Sequence, residues 1–226
     1  MAEPFDPLAY ENLAQSIIHA LNKADIEDLD EVTPFTGVGI YAIYYTGPFP
    51  AYEILSSLNR EKPGSQAIYI GKAAADSSQT GAELTHQNPN TRKLYERLRK
   101  HRKSIEAASN LEVEDFQVRV LTLTPTWVPL AEAIALRVHT PLWNSRISGF
   151  GINDPGKGRK DQARSLWDTL HPGRVYASGR PDKKNVEEIT QDVIDHLRVF
   201  ADGDPEGEMQ AENQDPMLPI PFQEED

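Results

Sequence analysis

Residues 39–45 read GIYAIYY and residues 69–72 read YIGK, and these two short stretches decide the fold. Their β-branched and aromatic content is typical of strands. Each stretch also carries a tyrosine close to a glycine. Taken alone, such tyrosines are more commonly core packing than chemistry, and both interpretations stay open until the rest of the chain is considered.

Side chains alternate between the two faces of a strand, so we expect Tyr41 to share a face with Gly39. By the same rule Tyr69 shares a face with Gly71 and lies opposite Ile68. If the two strands pair as neighbours, both tyrosines lie on one face of the sheet. The nearby glycines then leave room for a ligand to approach closely.

The stretch 90–109 predicts a helix with Asn90 as its N-cap. Arg97 and His101 are four positions apart and therefore share a helical face, next to an apolar stripe formed by Leu94, Leu98 and Ile105. Residues 92–103 hold seven bases and one acid. A solvated basic face is the plain explanation, but this excess favours a groove that faces phosphates.

The remaining patterns predict an α+β protein, a small sheet flanked by helices. The strand-like stretch 115–124 alternates, whereas 46–65 indicates an excursion with about one helical turn. Amphipathic or capped patterns predict three further helices, at 7–25, 129–141 and 185–200, the last with Asn185 and Glu188 at capping-box spacing.

The net charge of −12 over 226 residues is unevenly distributed. Residues 1–35 carry −7 and residues 201–226 carry −9, so the middle of the chain carries +4, which fits a polyanionic partner. The acidic ends are interpreted as solubilising, and the C-terminal one is expected to be disordered. No cysteine and no apolar run near 20 residues occur, so thiolate chemistry and membrane spans are excluded and a cytoplasmic location is the default.

Two further polar residues are unremarkable by themselves. Glu132 falls in the first turn of a predicted helix, where an acid favours the helix dipole. Asn144 is a plausible turn residue. Together with Tyr41, Tyr69 and the Arg97–His101 pair, however, they resemble the catalytic set of the GIY-YIG nuclease superfamily, in the order Tyr41, Tyr69, Arg97, His101, Glu132, Asn144.

The resemblance extends to one branch of that superfamily. The stretches SGFGINDPGKGR (148–159) and RSLWDTLHPGR (164–174) are similar to the type II restriction endonucleases that recognise the palindrome 5′-CCGCGG-3′. One departure is that residues 42–68 separate the two tripeptides, which the superfamily usually joins by a short hairpin. The resemblance implies a mostly antiparallel sheet of about three strands within a core at 36–145, with insertions at 46–65 and 72–90.

It also implies a mechanism of phosphodiester hydrolysis. Glu132 would bind Mg²⁺, with Mn²⁺ as a substitute, and Arg97 would stabilise the phosphorane. Tyr41 is the implied general base, assisted by His101, although a neutral Lys72 is an alternative base and a phosphate clamp is its preferred role. Tyr69 is expected to orient the scissile phosphate or the water, and Asn144 to buttress the site.

A palindrome predicts double-stranded DNA bound by a homodimer, and a restriction enzyme implies a cognate DNA methyltransferase. Guanine or phosphate contacts are expected from bases in the predicted helix at 90–109 and in the basic extension 146–200. These bases are Arg92, Lys93, Lys100, Arg146, Lys157, Arg159, Lys160, Arg164 and Arg174. The helix at 185–199 has an apolar stripe that fits either the dimer interface or the core.

Two alternatives share the same residues. A structure-specific repair nuclease would use the same catalytic module, but the sequence shows no helix-hairpin-helix repeat and no zinc finger. A DNA-binding protein with an inactive site is disfavoured because the catalytic set is intact.

Overall fold

A computed structural model of the chain describes residues 10–74, 91–151 and 162–201. Its centre is a four-stranded antiparallel sheet with the spatial order β1-β4-β2-β3. The strands are β1 (Ile26–Asp28), β2 (Gly39–Tyr45), β3 (Ala67–Ala73) and β4 (Phe116–Thr122). All seven residues of β2 are buried, which fits its central position.

Helices cover both faces of the sheet. They are α1 (Tyr10–Lys23), α2 (Glu53–Glu61), α3 (Lys93–Glu106), α4 (Val128–His139), α5 (Leu142–Ser145), α6 (Leu166–Leu170) and α7 (Val186–Ala201). Leu21 of α1 and Ala131 of α4 pack with Ile40 on one face. Tyr41 and residues of α3 and α5 to α7 form the larger core on the other. In the part of the chain described, no helix is long and apolar enough to cross a bilayer.

The predicted α+β class with an antiparallel sheet is confirmed, with four strands instead of about three. The fourth, β1, comes from the N-terminal extension and pairs with β4, Ile26 opposite Arg119. The N-terminal extension is therefore part of the sheet. A three-residue strand with the sequence IED carries too little alternation to be recognised in advance.

The excursion 46–65 is more ordered than the predicted single turn. It contains a 3-10 helix, Pro50–Tyr52, followed by the nine-residue α2. Buried Asn59 holds both ends of the excursion, because its side-chain amide donates to the carbonyls of Tyr45 and Gln66 at 3.0 and 2.9 Å and accepts from the Gln66 amide. This bridge ties the start of β3 to the end of β2.

The expected opposition of Tyr69 and Ile68 is wrong. The β2–β3 register shifts between Ile43, opposite Tyr69, and Tyr44, opposite Ala67, so Ile68 is the extra residue of a bulge. Because a bulge interrupts strict alternation, Ile68 joins Tyr69 in the larger core.

Helix α7 packs into the core through three of the four residues of its apolar stripe, whereas the fourth, Val186, is 44% exposed. Ile189, Val193 and Leu197 are at most 3% exposed within the larger core. The predicted cap is confirmed, since the Glu188 amide donates to the Asn185 side chain at 2.7 Å. The predicted cap of α3, Asn90, lies outside the described residues.

Helix α4 ends at Thr140, whose φ of 38° and ψ of 58° are left-handed. Among the described residues it is the one non-glycine residue with positive φ. A β-branched residue is strained there, so Thr140→Gly is expected to stabilise the fold by about 1 kcal/mol, a rise of roughly 2–4 °C in Tm. Thermal unfolding measures this. The control Thr124→Gly, exposed at φ −60°, should give no gain.

Candidate active site

A short hydrogen bond joins the central strand to α3 at the site. The hydroxyl of Tyr41 lies 2.6 Å from Nε2 of His101, and both side chains are buried. Burial, followed by the positive charges of Arg97, Arg174 and Lys100, lowers the pKa of His101 to about 3. The imidazole is therefore neutral at neutral pH, and its hydrogen bond with Tyr41 runs from the hydroxyl to Nε2 in the Nδ1–H tautomer and from Nε2 to the hydroxyl in the other tautomer.

The two motif tyrosines lie side by side, with ring centroids 6.3 Å apart. Burial raises the pKa of Tyr41 well above its ordinary value, and the neighbouring Tyr69 raises it further, while Arg97 opposes the shift. Burial likewise raises the pKa of Tyr69, again opposed by Arg97. Both groups are phenols in the resting protein, so forming a phenolate here requires added positive charge or a proton acceptor.

The glycines of the two tripeptides are sites of close approach. A Cβ at Gly71 would overlap the Tyr41 hydroxyl and lie 2.6 Å from its Cζ. A Cβ at Gly39 would overlap the Leu121 carbonyl on β4. Gly39 therefore lets β2 and β4 pair, and Gly71 makes the space that Tyr41 occupies.

Gly71→Ala is therefore expected to displace the Tyr41 hydroxyl, with a stability loss of about 1–3 kcal/mol, and to lower the rate of the DNA cleavage that the resemblance implies at least about tenfold. Single-turnover cleavage and urea unfolding measure the two effects. Gly179→Ala is the control for a loss of stability without a clash, because its φ of +76° strains an alanine whereas the added methyl meets nothing within 4 Å. Equal cleavage by both variants would contradict this account of Gly71.

Glu132 presents a carboxylate from α4 that is already engaged by a cation. Its Oε2 lies 2.6 Å from Nζ of Lys72 on β3, with the side chains 21% and 42% exposed. Burial raises the pKa of Tyr41 and Tyr69, and the Glu132 charge adds to both shifts, so the carboxylate acts on the tyrosine pair.

This donor set fits a magnesium ion that keeps much of its water. The described residues contain no group of three or more histidine, cysteine or acidic side chains able to hold a metal. Mg²⁺ is commonly bound by one or two carboxylates together with waters and substrate phosphates. The Lys72 ammonium shows that the Glu132 carboxylate accepts a cation in this place.

Asn144, on α5, completes the hydrogen bonding of the strand that carries Tyr69. Its Oδ1 accepts from the Ile70 amide at 2.8 Å, and its Nδ2 donates to the Ile70 carbonyl at 2.9 Å. Because β3 is an edge strand of the described sheet, these Ile70 groups have no strand partner on that side among residues 10–74, 91–151 and 162–201. The side chain thus fixes the backbone between Tyr69 and Gly71.

A family model described as the Eco29kI GIY-YIG domain matches residues 33–197, which is 165 of the 226 residues. The chain belongs to this family. It is a family of type II restriction endonucleases, so the chain is a restriction-type nuclease, which implies DNA binding. Among curated proteins, none matches the chain significantly.

The Eco29kI-family assignment matches the resemblance inferred from the residues. The structure brings together Tyr41, Tyr69, Arg97 and His101 through ring contacts and shared electrostatics. Lys72 and Glu132 form the adjoining ion pair, while Asn144 binds the backbone of Ile70, between Tyr69 and Gly71.

The candidate DNA-contacting residues of this Eco29kI-family chain differ in their exposure to solvent. Arg92, Lys100 and Arg146 are exposed, and Lys93 and Arg164 are half-buried. Lys157, Arg159 and Lys160 lie outside the described residues. The structure corrects the expectation that Arg174 contacts DNA. Arg174 is 6% exposed and ion-paired to Asp168, so its guanidinium is not available to a base or phosphate.

Sequence reasoning missed Phe150. Its ring stacks on His101, with centroids 4.6 Å apart and planes 20° from parallel, and meets Tyr69 edge-on at 5.0 Å. The available signal was an aromatic residue between two glycines, SGFG, inside the stretch that resembles the restriction branch. Nothing in that pattern indicates which ring it packs on.

Proposed function

We propose that this protein is a Mg²⁺-dependent type II restriction endonuclease that hydrolyses double-stranded DNA at a short G/C-rich palindrome, CCGCGG. The observation that carries the proposal is the hydrogen bond of Tyr41 to a neutral, buried His101, next to Arg97 and Glu132, in a chain of this family.

Proton transfer starts at the Tyr41 hydroxyl. In the Nδ1–H tautomer, Nε2 of neutral His101 accepts the Tyr41 proton while the phenol oxygen takes one from the attacking water, and the negative charge of the bound phosphate offsets the positive charges that lower the pKa of His101. The pair moves a proton across one hydrogen bond, so a free phenolate need not accumulate in this buried site. Lys72, the alternative base, is engaged by Glu132, which favours its role as a cation that clamps phosphate.

The charge of the pentacoordinate phosphorane needs stabilisation as the P–O bond to the 3′-oxygen breaks. Arg97 projects from α3 toward both tyrosines and supplies charge-assisted hydrogen bonds to the phosphate oxygens. Glu132 would hold Mg²⁺, which when bound supplies Lewis-acid stabilisation of that charge. Tyr69 orients the phosphate, and Asn144 holds the strand in register.

A homodimer on the palindrome would place one such site at each strand. Exposed Arg92, Lys100 and Arg146 are proposed DNA contacts, together with Lys157, Arg159 and Lys160. A DNA methyltransferase acting on the same sequence is the proposed partner that protects host DNA.

The test is incubation of the protein with unmethylated plasmid of known sequence, with Mg²⁺, with Mn²⁺, or with EDTA. Discrete fragments that end at CCGCGG, formed only with metal, are expected, and the same plasmid methylated at that site is the matched control. Cutting confined to flaps or branches would replace the proposal with a repair nuclease. Tight binding without cutting would indicate an inactive site.

A further inference from the structure

A turn at residues 148–151 forms one wall of the site. Phe150 stacks on His101, as described above, and the Gly151 carbonyl accepts a hydrogen bond from Nη2 of Arg97 at 2.9 Å. Consecutive residues of one turn therefore touch the proton acceptor and the phosphate-binding arginine. The position of this turn sets the position of both groups.

Arg174 holds the turn through its backbone. Its guanidinium donates to the Phe150 carbonyl at 3.1 Å and to the Gly149 carbonyl at 2.9 Å. The same side chain lies over the Trp167 ring, 4.5 Å from its centroid, and 5.0 Å from the centroid of Tyr176. A planar group packed in this way has little freedom to rotate.

Asp168 fixes the guanidinium in turn. Its two carboxylate oxygens accept from Nε and Nη2 of Arg174 at 2.6 and 2.8 Å, and Oδ2 also accepts from the Ser165 hydroxyl at 2.6 Å. Arg174 and Asp168 are 6% and 3% exposed. A buried ion pair is weak support for stability alone, since apolar residues of similar volume commonly serve as well. The Arg174 guanidinium, however, has five N–H donors in a rigid fork, and this geometry suits the fixing of two neighbouring carbonyls.

We propose that Arg174 and Asp168 are positioning residues: through the carbonyls of Gly149 and Phe150 they hold the turn 148–151 against His101 and Arg97. This inference rests on the proposed function, because it concerns the same site. Arg174 acts on the chemistry without touching DNA. Its loss should slow the chemical step and leave DNA affinity unchanged.

The test compares Arg174→Lys with the wild-type protein. Lysine keeps the charge but lacks the fork, so we expect single-turnover cleavage at saturating protein to fall at least about tenfold, with the DNA dissociation constant, measured without metal, within about twofold. Ile189→Ala is the stability control, because it removes buried core volume on α7 and leaves the turn's partners intact.

A second readout does not depend on cleavage. The chain has six histidines, so selective ¹³C-histidine labelling gives few NMR signals, and the His101 signal is assigned by its loss in His101→Gln. Stacking on Phe150 shifts the NMR signals of the carbon-bound protons of the His101 ring upfield. Arg174→Lys should move these signals back downfield. Asp168→Asn, which keeps the side-chain shape, should give the same two changes if Arg174→Lys does not fold.

Wild-type cleavage rate together with an unmoved His101 signal in a folded variant would overturn the inference and leave the proposed function standing. A displaced His101 signal with an unchanged cleavage rate would also overturn it, since the turn would then not control the chemistry. If the wild-type protein cuts no DNA, the proposed function fails, and the His101 signal still decides whether the pair holds the turn.

Discussion

Glu132→Gln should abolish cleavage and leave DNA binding intact. The amide keeps the shape of the side chain but removes the negative charge that would hold Mg²⁺ and that pairs with Lys72 at 2.6 Å. We expect the cleavage rate to fall on the order of 10³-fold or more, which is about 4 kcal/mol of barrier. Conversion of supercoiled plasmid to linear DNA measures the rate, and fluorescence anisotropy of a labelled duplex measures binding.

The matched control is Asp192→Asn. Asp192, on the exposed side of α7, also forms an ion pair with a lysine at 2.6 Å, in this case Lys184, which precedes the helix. Since exposed pairs contribute little, this variant should cut at the wild-type rate. Undiminished turnover of Glu132→Gln would remove Glu132 as the metal ligand.

Tyr41→Phe is expected to slow cleavage by roughly 10²–10⁴-fold, the range typical of a lost general base. The substitution retains the buried ring and removes the hydroxyl that is hydrogen-bonded to Nε2 of His101. The fold should survive, because one lost hydrogen bond costs about 1 kcal/mol. Single-turnover cleavage across a range of pH, with unfolding by urea as the stability check, measures both effects.

Tyr44→Phe is the control on the same strand. Tyr44 is equally buried but belongs to the core on the opposite face of the sheet, away from His101. It should cleave DNA like the wild-type protein. If Tyr41→Phe also cleaves normally, the proton acceptor lies elsewhere and Lys72 becomes the next candidate.

The grouping of Tyr41, Tyr69, Arg97 and His101 in space could be predicted from the sequence, because each of the four sits at a fixed place within a regular element. Tyr41 and Tyr69 occupy antiparallel neighbours, and the four-residue spacing of Arg97 and His101 fixes their common helical face. Glu132 and Asn144 were identifiable only through the family resemblance, since each is an ordinary residue in its own helix.

The wall of the site could not be predicted, since it depends on contacts between distant positions. Arg174 lies in a basic stretch, where charge alone suggests a DNA contact, and only the fold brings it to Asp168 and to the carbonyls at 149 and 150. The bulge at Ile68 was missed for a similar reason, because strand alternation contains no sign of an inserted residue.

The Asn144 side chain also has a consequence for assembly. By satisfying both backbone groups of Ile70, it takes the position that a strand from another molecule would need along the free edge of β3. The opposite edge of the sheet is β1, which offers three residues. If two copies of the chain bound one palindrome, the Asn144 contacts would therefore oppose a continuous sheet joined through β3, which favours a separate scaffold for each active site.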